Sequence, residues 1–218
     1  MGDKLPLILA SASPRRLALL HQIGVEPDFL LPANIDESQT RAESPRALAQ
    51  RLAREKAAAA RAMVEKDPSR AAAIVLGADT VVAVGRRVLP KAETRQQASA
   101  CLDLLSGRVH KVYTGVSVNT AEGLVRTKLI ETRVRFRRLS SNDTRNYLAS
   151  GEWRGKAGGY AIQGLAGSFI ARLIGSYSNV VGLPLLETAN LLAGLGYPVQ
   201  EGWASMGIPV QSAEGETA

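Results

Sequence analysis

Cysteine is nearly absent: Cys101 stands alone, so no internal disulfide can form, and no Cys/His pairing has the spacing that holds zinc. A reducing, cytoplasmic setting is expected. Aromatic residues make up only 5% of the chain, and none is interleaved with a basic run as a base-stacking platform requires, which disfavours nucleic acid as partner. The only two histidines, His21 and His110, lack a neighbouring Ser, Cys or Asp arrangement of the kind a nucleophilic triad uses, and there is no G-x-S-x-G turn. Covalent acyl chemistry is therefore not expected. Long apolar runs are missing too. Leu5 to Ala10 is far shorter than the ~20 residues that span a bilayer, and it carries no basic leader or small-residue cleavage pattern, so it reads as a buried strand.

What is present is ordinary for a folded protein: 218 residues, 45% hydrophobic and 22% charged, enough for one large domain or two small lobes. Lys and Arg number 27 against 20 Asp and Glu, a formal charge of +7 that favours anionic partners such as nucleotides.

Signals for helices and strands alternate. Ser13 and Pro14 read as the cap and first residue of a helix with Leu17, Leu20 and Ile23 near helical spacing, closed by Gly24. Ser44 and Pro45 open a second helix running to about Val64. Ala71 to Val84 reads as a buried strand interrupted by Gly77-Ala78-Asp79-Thr80. A helix is expected over about Thr94 to Leu105, then a hairpin of Val109 to Val118 and Leu124 to Leu139, with Arg133, Arg135 and Arg137 on its wet face. Further helices are expected from Ser140 or Ser141 to near Gly151, and from Pro184 to near Gly194. Together these predict an α/β or α+β fold on a mixed sheet, over residues 1–200, with 201–218 a loosely held tail.

Several charges sit where burial or the helix dipole makes them costly. Arg15 and Arg16 follow the Ser13 cap, at a helix end already positive, a cost that a bound anion would reverse. Lys56 continues the stripe of Leu48 and Leu52, so it either snorkels past the core edge or lines a cleft. Asp79 lies in the most apolar stretch and needs a partner: a metal ion, a lysine or backbone donors. Asp36 and Glu37 offer hard oxygen ligands in a loop. Gly151 to Gly159 superficially suggests a phosphate loop, but the glycine spacing and Ala157 exclude a Walker A motif; Lys156 remains a candidate phosphate contact, and Gly158 and Gly159 could admit a ligand to the backbone. Scattered basic and acidic groups of this kind fit metal-assisted attack of water on a phosphoanhydride.

Ser11-Ala12-Ser13-Pro14-Arg15-Arg16, Gly77-Ala78-Asp79-Thr80-Val81-Val82, Leu105-Ser106-Gly107 with His110, and Thr114-Gly115-Val116 resemble the Maf family, in the family's order. Lys156-Ala157-Gly158-Gly159-Tyr160-Ala161-Ile162-Gln163-Gly164 and Gly175-Ser176-Tyr177-Ser178-Asn179-Val180-Val181-Gly182-Leu183-Pro184 extend the resemblance over roughly residues 5–195. The resemblance implies an inosine-triphosphatase-like α/β fold, with two lobes about a cleft, often dimeric, and hydrolysis of nucleoside triphosphates to monophosphate and pyrophosphate with a divalent cation, Mg²⁺ or Mn²⁺. It further implies Asp79 as the catalytic acid residue, Arg15, Thr80 and Gln163 at positions tied to substrate choice, and Ser13, Arg16, Glu37, Lys56, Lys91 and Lys156 as cleft residues. Glu37 and Asp79 are the expected metal ligands. Gln163, where a 7-methyl-GTP branch carries Glu, places the chain with the dTTP/UTP branch, because a neutral amide matches both O4 and N3–H of thymine or uracil. Departures are the missing Pro after Lys91 and the exchanged small residues at Gly159 and Ala161. Alternatives are a pyrophosphatase for modified or other nucleotides and a non-turnover nucleotide- or nucleic-acid-binding regulator.

Overall fold

The computed structural model describes residues 5–201 and 203. The apolar start forms β1 (Leu7–Leu9), every residue buried. Next come α1 (Pro14–Gln22), β2 (Phe29–Leu30) and the long α2 (Pro45–Val64), where the Ser44 hydroxyl accepts the Ala47 N–H at 3.1 Å. Ser13 occupies the N-cap of α1 as expected, but its side chain makes no capping hydrogen bond.

β3 (Ile74–Val84) is one continuous 11-residue strand that carries the polar stretch Gly77 to Thr80 within it, as expected, beginning at Ile74 rather than Ala71. β4 (Arg87–Leu89) and β5 (Lys91–Ala92) lead to α3 (Arg95–Leu105), closed at its start by a reciprocal Thr94/Gln97 capping box. β6 (Val109–Asn119) and β7 (Val125–Phe136) form the expected hairpin. α4 (Ser141–Ser150) has a second capping box, Ser140 with Asp143, and ends at left-handed Gly151, φ 73°. β8 (Lys156–Ala157), a 3-10 turn over Leu165–Phe169, β9 (Ile170–Ile174), α5 (Tyr177–Val181) and α6 (Leu185–Ala193) complete the described chain.

The main sheet runs β2-β1-β3-β6-β7-β9 with β4 on β3, while β5 and β8 pair separately. β1 is parallel to both neighbours and the remaining pairs are antiparallel, the mixed sheet with flanking helices that the sequence predicts.

Alternation along β3 decides the rest. Val75, Val81 and Ala83 pack on the α2 side with Ala57, Leu48 and Leu52. Ile74, Leu76 and Ala78 face α1 and α6 across the sheet, and Val82 joins the core under α3 and α4. Odd-numbered Asp79 thus faces α2, and Thr80 faces the other way. α2 sits unusually close to the sheet, because a Cβ on Gly77 would stand 2.7 Å from Ala53 O and one on Gly115 2.3 Å from Ala49 O. Asp79 and Gly115 are register partners, so this close approach occurs at the carboxylate.

Of the tail expected from residue 201, Glu201 and Trp203 are described, and the Trp203 indole donates to Ile23 O at 2.8 Å. Residues 202 and 204–218 lie outside the described residues.

Candidate functional site

A cleft of about 340 Å³ opens where the end of β1, the start of α1, the middle of β3 and the β5–β8 ribbon meet. The start of α1 contributes Ser13, Arg15 and Arg16; the loop before α2 contributes Glu37, and α2 itself Lys56. β3 supplies Asp79 and Thr80, the small ribbon Lys91 and Lys156, and the segment before the 3-10 turn Gln163. The ten site residues that the family resemblance implies therefore line one cleft, whereas Asp36 does not reach it. Five cations face two carboxylates, an imbalance suited to a polyanion.

Asp79, only 4% exposed, finds the lysine among its three possible partners. Lys56 Nζ lies 2.5 Å from Asp79 Oδ1 and 2.6 Å from Glu37 Oε1, and Lys91 also pairs with Glu37. Lys56 thus lines the cleft rather than snorkelling past it. Burial opposes ionisation of Glu37, but its hydrogen bonds to Lys56 and Lys91 outweigh that, pulling the carboxyl down to about 2.

The two arginines of α1 differ. Arg16 is buried, and its guanidinium donates to Gly182 O (2.8 Å), Ser11 Oγ (3.0 Å) and Thr80 Oγ1 (3.2 Å). It stitches α1 to β3 and to the end of α5, so much of its hydrogen-bonding capacity is internal. Arg15 makes no hydrogen bond or ion pair among the described residues, and partial burial pushes its guanidinium below the ordinary arginine value. Lys156 is lowered by burial and then by the Arg15 charge. An anion beside Arg15 and Lys156 would offset the charge that Arg15 places on the lysine.

Sequence reasoning missed the supports behind this surface. Thr80 Oγ1 meets Thr114 Oγ1 at 3.0 Å, and Thr114 donates to Asn179 O at 2.9 Å. Thr114 is buried in β6, a strand whose other polar residues hide it from a local reading. Gly158 and Gly159 do not line the cleft: their φ values of 71° and 68° and their tight packing on Val82 and Ala98 explain the glycines.

The donor set also suits a hard divalent cation. Glu37 and Asp79 oxygens converge on one cationic point, now the Lys56 ammonium, and Mg²⁺ needs only one or two carboxylates when phosphates and water complete its shell. Among the described residues no group of three or more His, Cys, Asp or Glu offers an all-protein cage. Nor is any described helix long and apolar enough to cross a membrane.

Fold and cleft define an α/β protein with a cation-rich cleft around two carboxylates. The chain belongs to the Maf family: the family described as Maf-like protein matches residues 6–195. It is 62% identical over 197 residues to the dTTP/UTP pyrophosphatase of Rhodopseudomonas palustris (strain HaA2), covering 90% of this chain and 95% of that protein. Its identity to the dTTP/UTP pyrophosphatase of Nitrobacter hamburgensis is 58% over 207 residues, covering 95% and 100%. Among solved structures it is similar to a HAM1 protein from Coxiella burnetii, with TM-score 0.42, 14% identity and coverage of 62% and 74%.

Proposed function

We propose that this chain hydrolyses dTTP and UTP to the nucleoside monophosphate and pyrophosphate. The observation that carries the reading is that five cations and the two carboxylates Glu37 and Asp79 line one cleft. The high identity to dTTP/UTP pyrophosphatases supports the choice of substrate.

Arg15, Lys91 and Lys156 neutralise the triphosphate, with the Ser13 hydroxyl as a further donor. Lys56 holds Asp79 by Oδ1, leaving Oδ2 without a protein donor among the described residues and able to accept a proton. Water attacks the α-phosphorus as its proton passes to Asp79; the α–β P–O bond breaks and its electrons leave with pyrophosphate. Glu37 and Asp79 would hold Mg²⁺ or Mn²⁺, which supplies charge neutralisation on the phosphate oxygens. Arg16 keeps Thr80 and α1 in place, and Gln163 presents its amide to O4 and N3–H of the base.

The test is a substrate panel of dTTP, UTP, CTP and 7-methyl-GTP with and without chelator. Pyrophosphate release highest on dTTP and UTP and lost with chelator is expected. Preference for CTP or 7-methyl-GTP, or tight binding without product, would replace this reading.

A further inference from the structure

Glu152 has no counterpart among the expected site residues and does not line the cleft, yet its carboxylate is the most heavily engaged in its region. Oε2 accepts the Leu165 N–H at 2.7 Å, and Oε1 accepts the Ala166 N–H at 3.3 Å and the Tyr147 hydroxyl at 3.0 Å. It therefore caps the free N–H groups that begin the 3-10 turn at Leu165–Phe169. Tyr147 is itself fixed, buried in the apolar cluster under α4 and edge-on to Phe169 at 5.4 Å.

Gly164 supplies an independent sign that the carboxylate is built in. A Cβ there would stand 2.1 Å from Glu152 Oε2, so a side chain at 164 would push the carboxylate out of its present seat. The residue just before this clamp is Gln163, whose side chain lines the cleft and makes no hydrogen bond among the described residues. What remains to fix its reach toward a base is the backbone from which it projects, and Glu152 holds that backbone.

We infer that Glu152 is a positioning residue for nucleobase discrimination, holding Gln163 where its amide favours uracil over cytosine; this rests on the proposed role of Gln163. Removing the carboxylate frees the turn, and an amide that must find its own position loses selectivity before it loses turnover.

The experiment compares kcat/KM for UTP and CTP in the wild type, E152A, E152Q, Q163A and E152A/Q163A. The expected result is a fall in the UTP:CTP ratio of at least about tenfold in E152A, carried mainly by KM for UTP, with partial rescue in E152Q. The double variant should lose little beyond either single one, since the two act as a unit. A merely structural role would lower both nucleotides alike. An unchanged ratio in folded E152A while Q163A loses it overturns this inference and leaves the reading of Gln163 intact. An unchanged ratio in Q163A overturns the reading of Gln163 and this inference with it. Should E152A fail to fold, Y147F removes only the hydroxyl from Oε1 and must still lower the ratio, by about threefold; no change there overturns the proposal.

Discussion

The Lys56 ammonium meets Asp79 Oδ1 at 2.5 Å, with the two side chains only 10% and 6% exposed. A buried pair of this kind is worth little against a well-packed apolar replacement, but removing one partner strands the other's charge. K56M should therefore lower unfolding stability by about 3 kcal/mol or more, read from urea denaturation. Adding D79N should restore a substantial part, because the stranded carboxylate is then gone. A K56M loss within ordinary surface-mutation range would mean the pair is solvated.

Gly115 opposes Asp79 in the sheet and gives α2 its close seat. G115A forces a methyl to within 2.3 Å of Ala49 O, and backbone cannot yield as a side-chain tip does. Overpacking of about 1–3 kcal/mol is expected. Because α2 carries Lys56, activity should fall alongside stability, whereas G85A, with open space around its Cβ but a left-handed φ of 60°, should cost backbone strain in stability and leave activity unchanged.

The legible parts of the sequence were those with local physics. Ser44-Pro45, Thr94 and Ser140 mark helix starts by caps that the structure contains, and Lys56 and Asp79 betrayed themselves as charges in apolar patterns. That they pair with each other was not legible: they are 23 residues apart, and only the glycine-lined approach of α2 joins them. β5 and β8 are two residues each, too short for any periodicity, yet they carry Lys91 and Lys156 to the cleft. Glu152 stood in a turn beside Gly151, where a solvated carboxylate is the ordinary expectation; its three partners come from α4 and the 3-10 turn. Arg16 read as a phosphate contact because the sequence could not reveal that its guanidinium turns inward to Gly182 and Ser11.

Acid should find a weak point at His110. Burial pushes its imidazole down from 6.5 to about 4, with Nε2 against the Tyr160 hydroxyl at 2.7 Å. The folded state binds the proton less readily than the unfolded chain, so His110's contribution is fully present above 6.5 and is lost as pH falls from there through about 4. Over that window stability should drop by up to about 1.4 kcal/mol per pH unit from this group, a slope that H110Q removes. Parallel pH curves for the two proteins would refute the assignment.

Cleavage between the α and β phosphates, with Asp79 as the acid residue that handles the attacking water, fixes both the products and the residue on which turnover depends. Phosphorus NMR of dTTP turnover by wild type and D79N at saturating Mg²⁺ tests it most directly. The account predicts pyrophosphate and monophosphate as the sole products, and a drop of about 10²-fold or more in kcat for a folded D79N. Orthophosphate with nucleoside diphosphate, or D79N turning over at the wild-type rate, would contradict it.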